Sequence, residues 1–172
     1  LDADVLVFDP DGLDLDIADA YAFGAETWVQ PGADRRPRAV RNVHNALCLF
    51  AAGNPFLDFY IDTAERLVAR HDGPMVPQFV GPKLLTALAN IVGFPVLPAV
   101  GVLSPLTLAD VAAGGGPAVD AHQVRHPGPI HAANLSGSMA GGFRDGVAAD
   151  DALYAAAIDR LLAGGGRALY RD

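Results

Sequence analysis

Helix starts written around proline constrain this chain more than any other feature. At Asn54-Pro55 and Ser104-Pro105, a side chain that can accept a hydrogen bond from the first free backbone N–H groups stands before a residue whose fixed φ suits the first helical turn. Behind the first, Phe56, Phe59, Tyr60, Ala64, Leu67 and Val68 recur at helical spacing, which predicts an amphipathic helix ending near Arg70. Pro82 to Val92, closed by Gly93, reads as a second helix, and Ser104-Pro105 opens a short third one that stops at Gly114 to Gly116. Asp150 or Asp151 caps a last helix through Leu162, with Leu153, Ala157, Ile158, Leu161 and Leu162 facing inward. The stretches between are extended. Ala3 to Phe8 is an apolar run closed by Asp9-Pro10-Asp11-Gly12; Glu26 to Gln30 is stopped by Pro31-Gly32; Ala46 to Ala51 reads as a buried strand; and Phe94 to Leu103 is extended and punctuated by proline. Asp34-Arg35-Arg36-Pro37-Arg38 reads as a polar loop. Strands alternating with helices predict an α/β fold, a mixed sheet with flanking helices, and 172 residues suffice for one domain, 1–172, with a real core.

Charge and cysteine content narrow the function classes. With a formal net charge of −8 and Lys83 as the only lysine, the surface repels a phosphate backbone, so nucleic acid is excluded as an expected partner. No apolar run reaches the roughly 20 residues that cross a bilayer, so membrane association is expected only through segments outside this sequence. Nothing in the chain identifies a compartment; the expectation is cytoplasm for a bacterial source and Golgi lumen for a eukaryotic one. Cys48 stands alone in the apolar run Ala46-Leu47-Cys48-Leu49-Phe50, which excludes an internal disulfide and a multi-cysteine zinc site and reads as a buried small hydrophobe.

The chemistry-bearing pattern is the pair Asp2 and Asp4 at the edge of the first strand. Both carboxylates approach one hard divalent cation only if the backbone bends there, and Mg²⁺ or Mn²⁺ prefers such oxygen ligands and shares its shell with substrate phosphates. Asp9-Pro10-Asp11, Asp14-Leu15-Asp16 and the near miss Asp16-Ile17-Ala18-Asp19 offer a similar pattern, and solvated turn carboxylates explain any one of them equally. Asp58 and Asp62, four apart, share one face of the first helix and read as an exposed stripe.

The run Leu1-Asp2-Ala3-Asp4-Val5-Leu6-Val7-Phe8-Asp9-Pro10 resembles the DXD segment of GT-A fold glycosyltransferases, in particular the group that includes family 32 and the α-1,4-galactosyltransferases. Three later segments follow in the same order: Asn45 to Phe56, then Gly81-Pro82-Lys83-Leu84-Leu85-Thr86 at a helix start, then His131-Ala132-Ala133-Asn134-Leu135-Ser136-Gly137-Ser138. The resemblance spans Leu1 to about Met139, which stands where these enzymes often carry Trp. It implies a partial GT-A fold lacking its N-terminal nucleotide-binding strands, and an enzyme that moves a hexose from a nucleotide-sugar donor to a saccharide or glycolipid acceptor, with retention of the anomeric configuration as in that group. It also implies that Asp2, Asp4 and His131 hold Mn²⁺ or Mg²⁺, that Gly137 and Ser138 meet the donor diphosphate, and that Asn45, Gly81 and Pro82 face the sugar or acceptor. No catalytic base or nucleophile is assigned. For His131, a core histidine bonded to a backbone carbonyl is the competing reading.

Two other readings compete. Val5 to Gly12 resembles the first motif of haloacid-dehalogenase-type phosphatases, with Asp9 as nucleophile and Asp11 as general acid/base, although Leu13 replaces the usual Thr and Lys83 is the only available lysine. The other is a noncatalytic remnant or binding module of the glycosyltransferase fold.

Overall fold

A computed structural model of the chain describes residues 1–17 and 19–170. It is a mixed α/β structure with two three-stranded sheets and flanking helices. In the first sheet β1 (Val5–Val7) pairs antiparallel with β6 (Ala132–Asn134), and β5 (Val100–Val102) runs parallel to β6 on its other side. The second is built on a long antiparallel hairpin, β2 (Tyr21–Pro31) and β3 (Pro37–Phe50), with β4 (Val96–Leu97) parallel to β2. A small hairpin, β7 (Phe143–Arg144) and β8 (Val147–Ala148), stands apart.

The helices obey their capping signals. Asn54 Oδ1 accepts from Phe56 N at 2.9 Å to start α1 (Pro55–Arg70), Ser104 Oγ accepts from Thr107 N at 3.3 Å to start α3 (Pro105–Ala113), and Asp150 Oδ1 accepts from Leu153 N at 2.9 Å to start α5 (Asp151–Gly164). Gly114 and Gly165 end α3 and α5 in left-handed conformation. α2 (Leu84–Val92) begins later than its sequence pattern suggests, because Phe79–Lys83 forms a wider π-type turn with Gly81 bent out of helical geometry.

Several expectations give way. Glu26 to Gln30 and Ala46 to Ala51 are pieces of the two hairpin strands, and Pro37-Arg38 belongs to β3, leaving a turn only from Gly32 to Arg36. Arg38 and Arg41 are both exposed along that strand, and such a charged stretch reads as loop in a sequence. Pro117–Arg125 forms α4, a helix whose weak amphipathic pattern follows a glycine run. On α1, Phe56, Tyr60, Ala64 and Leu67 are half-buried, but Phe59 and Val68 are 49% and 51% exposed, so the inward stripe is narrower than the apolar pattern. Leu162 of α5 is likewise exposed, whereas Ala157 and Leu161 are buried.

Three apolar clusters hold the elements in place. Leu103, Leu108, Val111, Val119, Ile130, Ala157 and Leu161 pack α3, α4 and α5 on one side of the first sheet. Phe23, Val43 and Leu85 fix α1 and α2 against the long hairpin, with Phe50, Phe56, Tyr60 and Phe94 around Phe23. Cys48 is half-buried against that cluster, its Sγ donating to Asn45 O at 3.2 Å. Leu47, Val100 and Ala132 join the two sheets, and His44 Nε2–H donates to Val100 O at 3.0 Å across the same seam. The site described next opens along this junction. Among the described residues no helix is long and apolar enough to cross a membrane.

Candidate functional site

The first carboxylate pair sits on a bend. Ala3 and Asp4 form a turn ahead of β1; Asp2 N donates to Ala46 O at 3.0 Å and Val5 N to Asp2 O at 3.4 Å. Asp2 is exposed, with Ala3 N donating to its Oδ1 at 3.1 Å. Asp4 is more deeply engaged. Its Oδ1 accepts from Asn134 Nδ2 at 2.6 Å and its Oδ2 from Gly137 N at 2.8 Å, so the carboxylate clamps the turn that leaves β6. Asn134 Oδ1 accepts from Ser136 N at 2.7 Å, and Ser136, held at φ 54°, donates through Oγ to Leu103 O at 2.8 Å. Gly137 leaves room at the tip, where a Cβ would lie a tight 3.2 Å from Asp4 Oδ2.

Asp2, Asp4, Asn45, Pro82, Gly137 and Ser138 line one cavity of about 450 Å³. Gly81 stands beside Asn45, whose Oδ1 would lie 3.4 Å from a Cβ at that glycine. The Gly81-Pro82 turn is anchored by α2, where Leu85 is buried on Phe23 and Thr86 Oγ1 accepts from Val43 N at 2.9 Å. Four segments distant in sequence thus meet at the sheet junction.

His131 does not join them. Antiparallel pairing aligns Val5 with Asn134 and Val7 with Ala132, which puts His131 four residues of strand away from the Asp4 end, roughly 13 Å of rise. Its Nδ1 lies 2.7 Å from Asp9 Oδ2, and its backbone carbonyl accepts from Phe8 N and Asp9 N. The expected ligand set of Asp2, Asp4 and His131 is therefore not assembled, and Asn134 occupies the place beside Asp4. Among the described residues no three His, Cys, Asp or Glu side chains form a metal-holding group. What faces the cavity is an all-oxygen pair, Asp2 and Asp4. Each Asp4 oxygen accepts a single hydrogen bond and has a further lone pair, a donor set that suits a hard cation completed by phosphate oxygens and water.

The phosphatase reading needs Asp9, Asp11 and Lys83 together. Asp9 instead bonds His131 at the end of an antiparallel edge strand, Asp11 begins a 3₁₀ turn, and Lys83 lines a different cavity. Asp62 is exposed and ion-paired to Arg66 at 2.9 Å, as a solvated stripe would be.

Compared with protein-family models, with curated proteins and with solved structures, the chain matches none.

The geometry of the site adds residues that the sequence reading did not single out. Glu26, 7% exposed, walls the cavity, and burial raises its carboxyl pKa, partly offset by a hydrogen bond from its cross-strand neighbour Asn42. Trp28, two residues along the same strand face, lines it as well. His44 is buried in the wall, and desolvation lowers its pKa to about 4. With Nε2–H donating to Val100 O and Nδ1 accepting from Ala46 N at 3.0 Å, it is a neutral strut with no nitrogen free for a ligand. The available signal was period-two spacing: a Glu and a Trp on one face of an otherwise apolar strand.

Proposed function

We propose that this chain forms the metal and acceptor side of a GT-A-type glycosyltransferase that moves a hexose from a nucleotide-sugar donor to a saccharide or glycolipid acceptor. The observation that carries the reading is the meeting of Asp2, Asp4, Asn45, Pro82, Gly137 and Ser138 around one cavity. These residues come from separate segments whose order suggested the family, and a chance set of turn residues has no reason to share a wall. Asp2 and Asp4 would hold Mn²⁺ or Mg²⁺, which neutralises charge building on a diphosphate leaving group. Gly137 leaves the backbone approachable and Ser138 brings an exposed hydroxyl, both suited to phosphate oxygens. His131 has no part in this version of the site.

The test is Mn²⁺ binding, followed by calorimetry, together with Mn²⁺-dependent hydrolysis of UDP- and GDP-hexoses. Asp2→Asn and Asp4→Asn should each weaken the metal at least tenfold, while His131→Ala leaves its affinity unchanged. Metal affinity that follows His131 and ignores Asp2 would defeat the reading. The double hydrogen bonding of Asp4 favours one alternative, a noncatalytic module in which Asp4 only fastens the Gly137 turn. In that case Asp4→Asn lowers stability, and neither metal nor donor binds the unaltered chain.

A further inference from the structure

Next to the Asp2 and Asp4 cavity lies a larger one of about 830 Å³, which shares Glu26, Trp28, Gln78, Pro82, Ser138 and Met139 as walls and adds Asn42, Lys83, Thr86 and Arg144. We infer that this cavity is the acceptor subsite and that it takes a neutral saccharide, with Glu26 and Asn42 holding its hydroxyls and Trp28 meeting the apolar face of one pyranose ring. The inference rests on the glycosyltransferase reading for the word acceptor, but the binding site itself stands on its own residues.

The chemistry of the lining selects the ligand. A carboxylate and a carboxamide lie directly opposite each other on β2 and β3, so Glu26 offers acceptors and Asn42 both a donor and an acceptor at one spot, the complement of neighbouring sugar hydroxyls. Glu26 is more than nine-tenths buried, and among the described residues the Asn42 carboxamide answers its burial cost, which leaves acceptor capacity facing the cavity. On the same strand face, Trp28 supplies an apolar plane for the axial C–H groups of a pyranose, and Arg144 steadies it from 5.7 Å above the ring. Pockets of this kind, apolar or aromatic with a few convergent polar groups, are typical of small-molecule sites, and the volume falls within their usual range.

Charge argues for a neutral ligand. Glu26 is offset by Lys83, and Arg144 has Asp145 at 3.8 Å, so the lining carries little net charge. A divalent cation would find a single carboxylate. Gln78 adds a further observation: it holds φ 64°, a left-handed conformation that is uncommon for a side-chain-bearing residue, at the edge shared by both cavities.

Trp28 is the only tryptophan in the chain and stands on the wall that this cavity shares with its neighbour, so its fluorescence reports on that wall, and EDTA keeps the metal out of the neighbouring cavity. The experiment titrates the whole chain, in EDTA, with methyl glycosides of glucose, galactose and mannose and with lactose. A saturable change in Trp28 emission is expected for at least one of them. Glu26→Gln, which keeps the side-chain shape, should weaken it about tenfold, and Asn42→Ala should weaken it independently, with far-UV circular dichroism showing both variants folded. Absence of a saturable response to every sugar, or an unchanged dissociation constant in folded Glu26→Gln, overturns the proposal. Mn²⁺ and donor binding without a sugar response would sink this subsite while leaving the glycosyltransferase reading standing. A sugar response without metal or donor binding supports the subsite and sinks the glycosyltransferase reading.

Discussion

Acidification from pH 7 to pH 5 should destabilise this fold through its buried histidines. His44 and His122 are 2% and 0% exposed, and desolvation is the largest cause lowering each pKa from 6.5 to about 4. His122 stacks on His126 with ring centroids 5.0 Å apart and planes 14° from parallel; its Nδ1–H donates to Leu169 O at 3.2 Å, and its Nε2 has no partner among the described residues. The folded pKa values are depressed, so the neutral rings contribute stability that is full above the unfolded value of 6.5 and is lost as pH falls toward 4. At pH 5 the unfolded chain has taken up nearly a whole proton at each ring and the folded chain about a tenth of one, which costs about 2 kcal/mol per histidine relative to pH 7. His126, also lowered mainly by burial, adds in the same direction. Glu26 opposes them, since burial raises its pKa and protonation relieves the folded state. Urea unfolding at pH 7 and pH 5 measures the sum. In His122→Phe, which keeps a ring in the stack, the loss between the two pH values should shrink by about 2 kcal/mol, even though leaving Leu169 O unpaired costs about 1–3 kcal/mol at both. An unchanged pH dependence in that variant would refute the reasoning.

Other consequences can be checked on the same material. Phe23→Ala, at a 0% exposed position ringed by Phe50, Phe56, Tyr60 and Phe94, should cost about 3–5 kcal/mol in urea unfolding. Ser104→Ala removes the buried cap of α3 and should cost about 2 kcal/mol, at the upper end of the range for caps because Ser104 also bonds Thr107 Oγ1 at 3.0 Å. Gly137→Ala crowds Asp4 Oδ2; it should weaken Mn²⁺ binding severalfold by calorimetry while lowering the melting temperature by only a few degrees.

Local signals explain how much of the fold was legible. Asn54-Pro55, Ser104-Pro105 and Asp150 act on backbone groups within a few residues, so the sequence contains both partners of each hydrogen bond. The long hairpin was less visible, because residues 37–45 face solvent on one side and their polar side chains look like a loop until Tyr21–Pro31 is laid beside them. Helix α4 was missed for a related reason: its buried positions include His122, which the chain hides through tertiary packing and not through an apolar pattern.

The candidate site divides in the same way. Sequence alone picked out the candidate residues: the acidic pair Asp2 and Asp4, the small residues Gly137 and Ser138, and the Gly81-Pro82 turn ahead of a helix. Only the tertiary structure decided which of them meet. Strand register sent His131 to Asp9 and brought Asn134 to Asp4, since a shift along an antiparallel pair moves a side chain several ångströms per residue. The depth of Glu26 was likewise settled by tertiary packing around its strand, because burial, and with it a raised pKa, is a property of the neighbours a residue acquires and not of the residue itself.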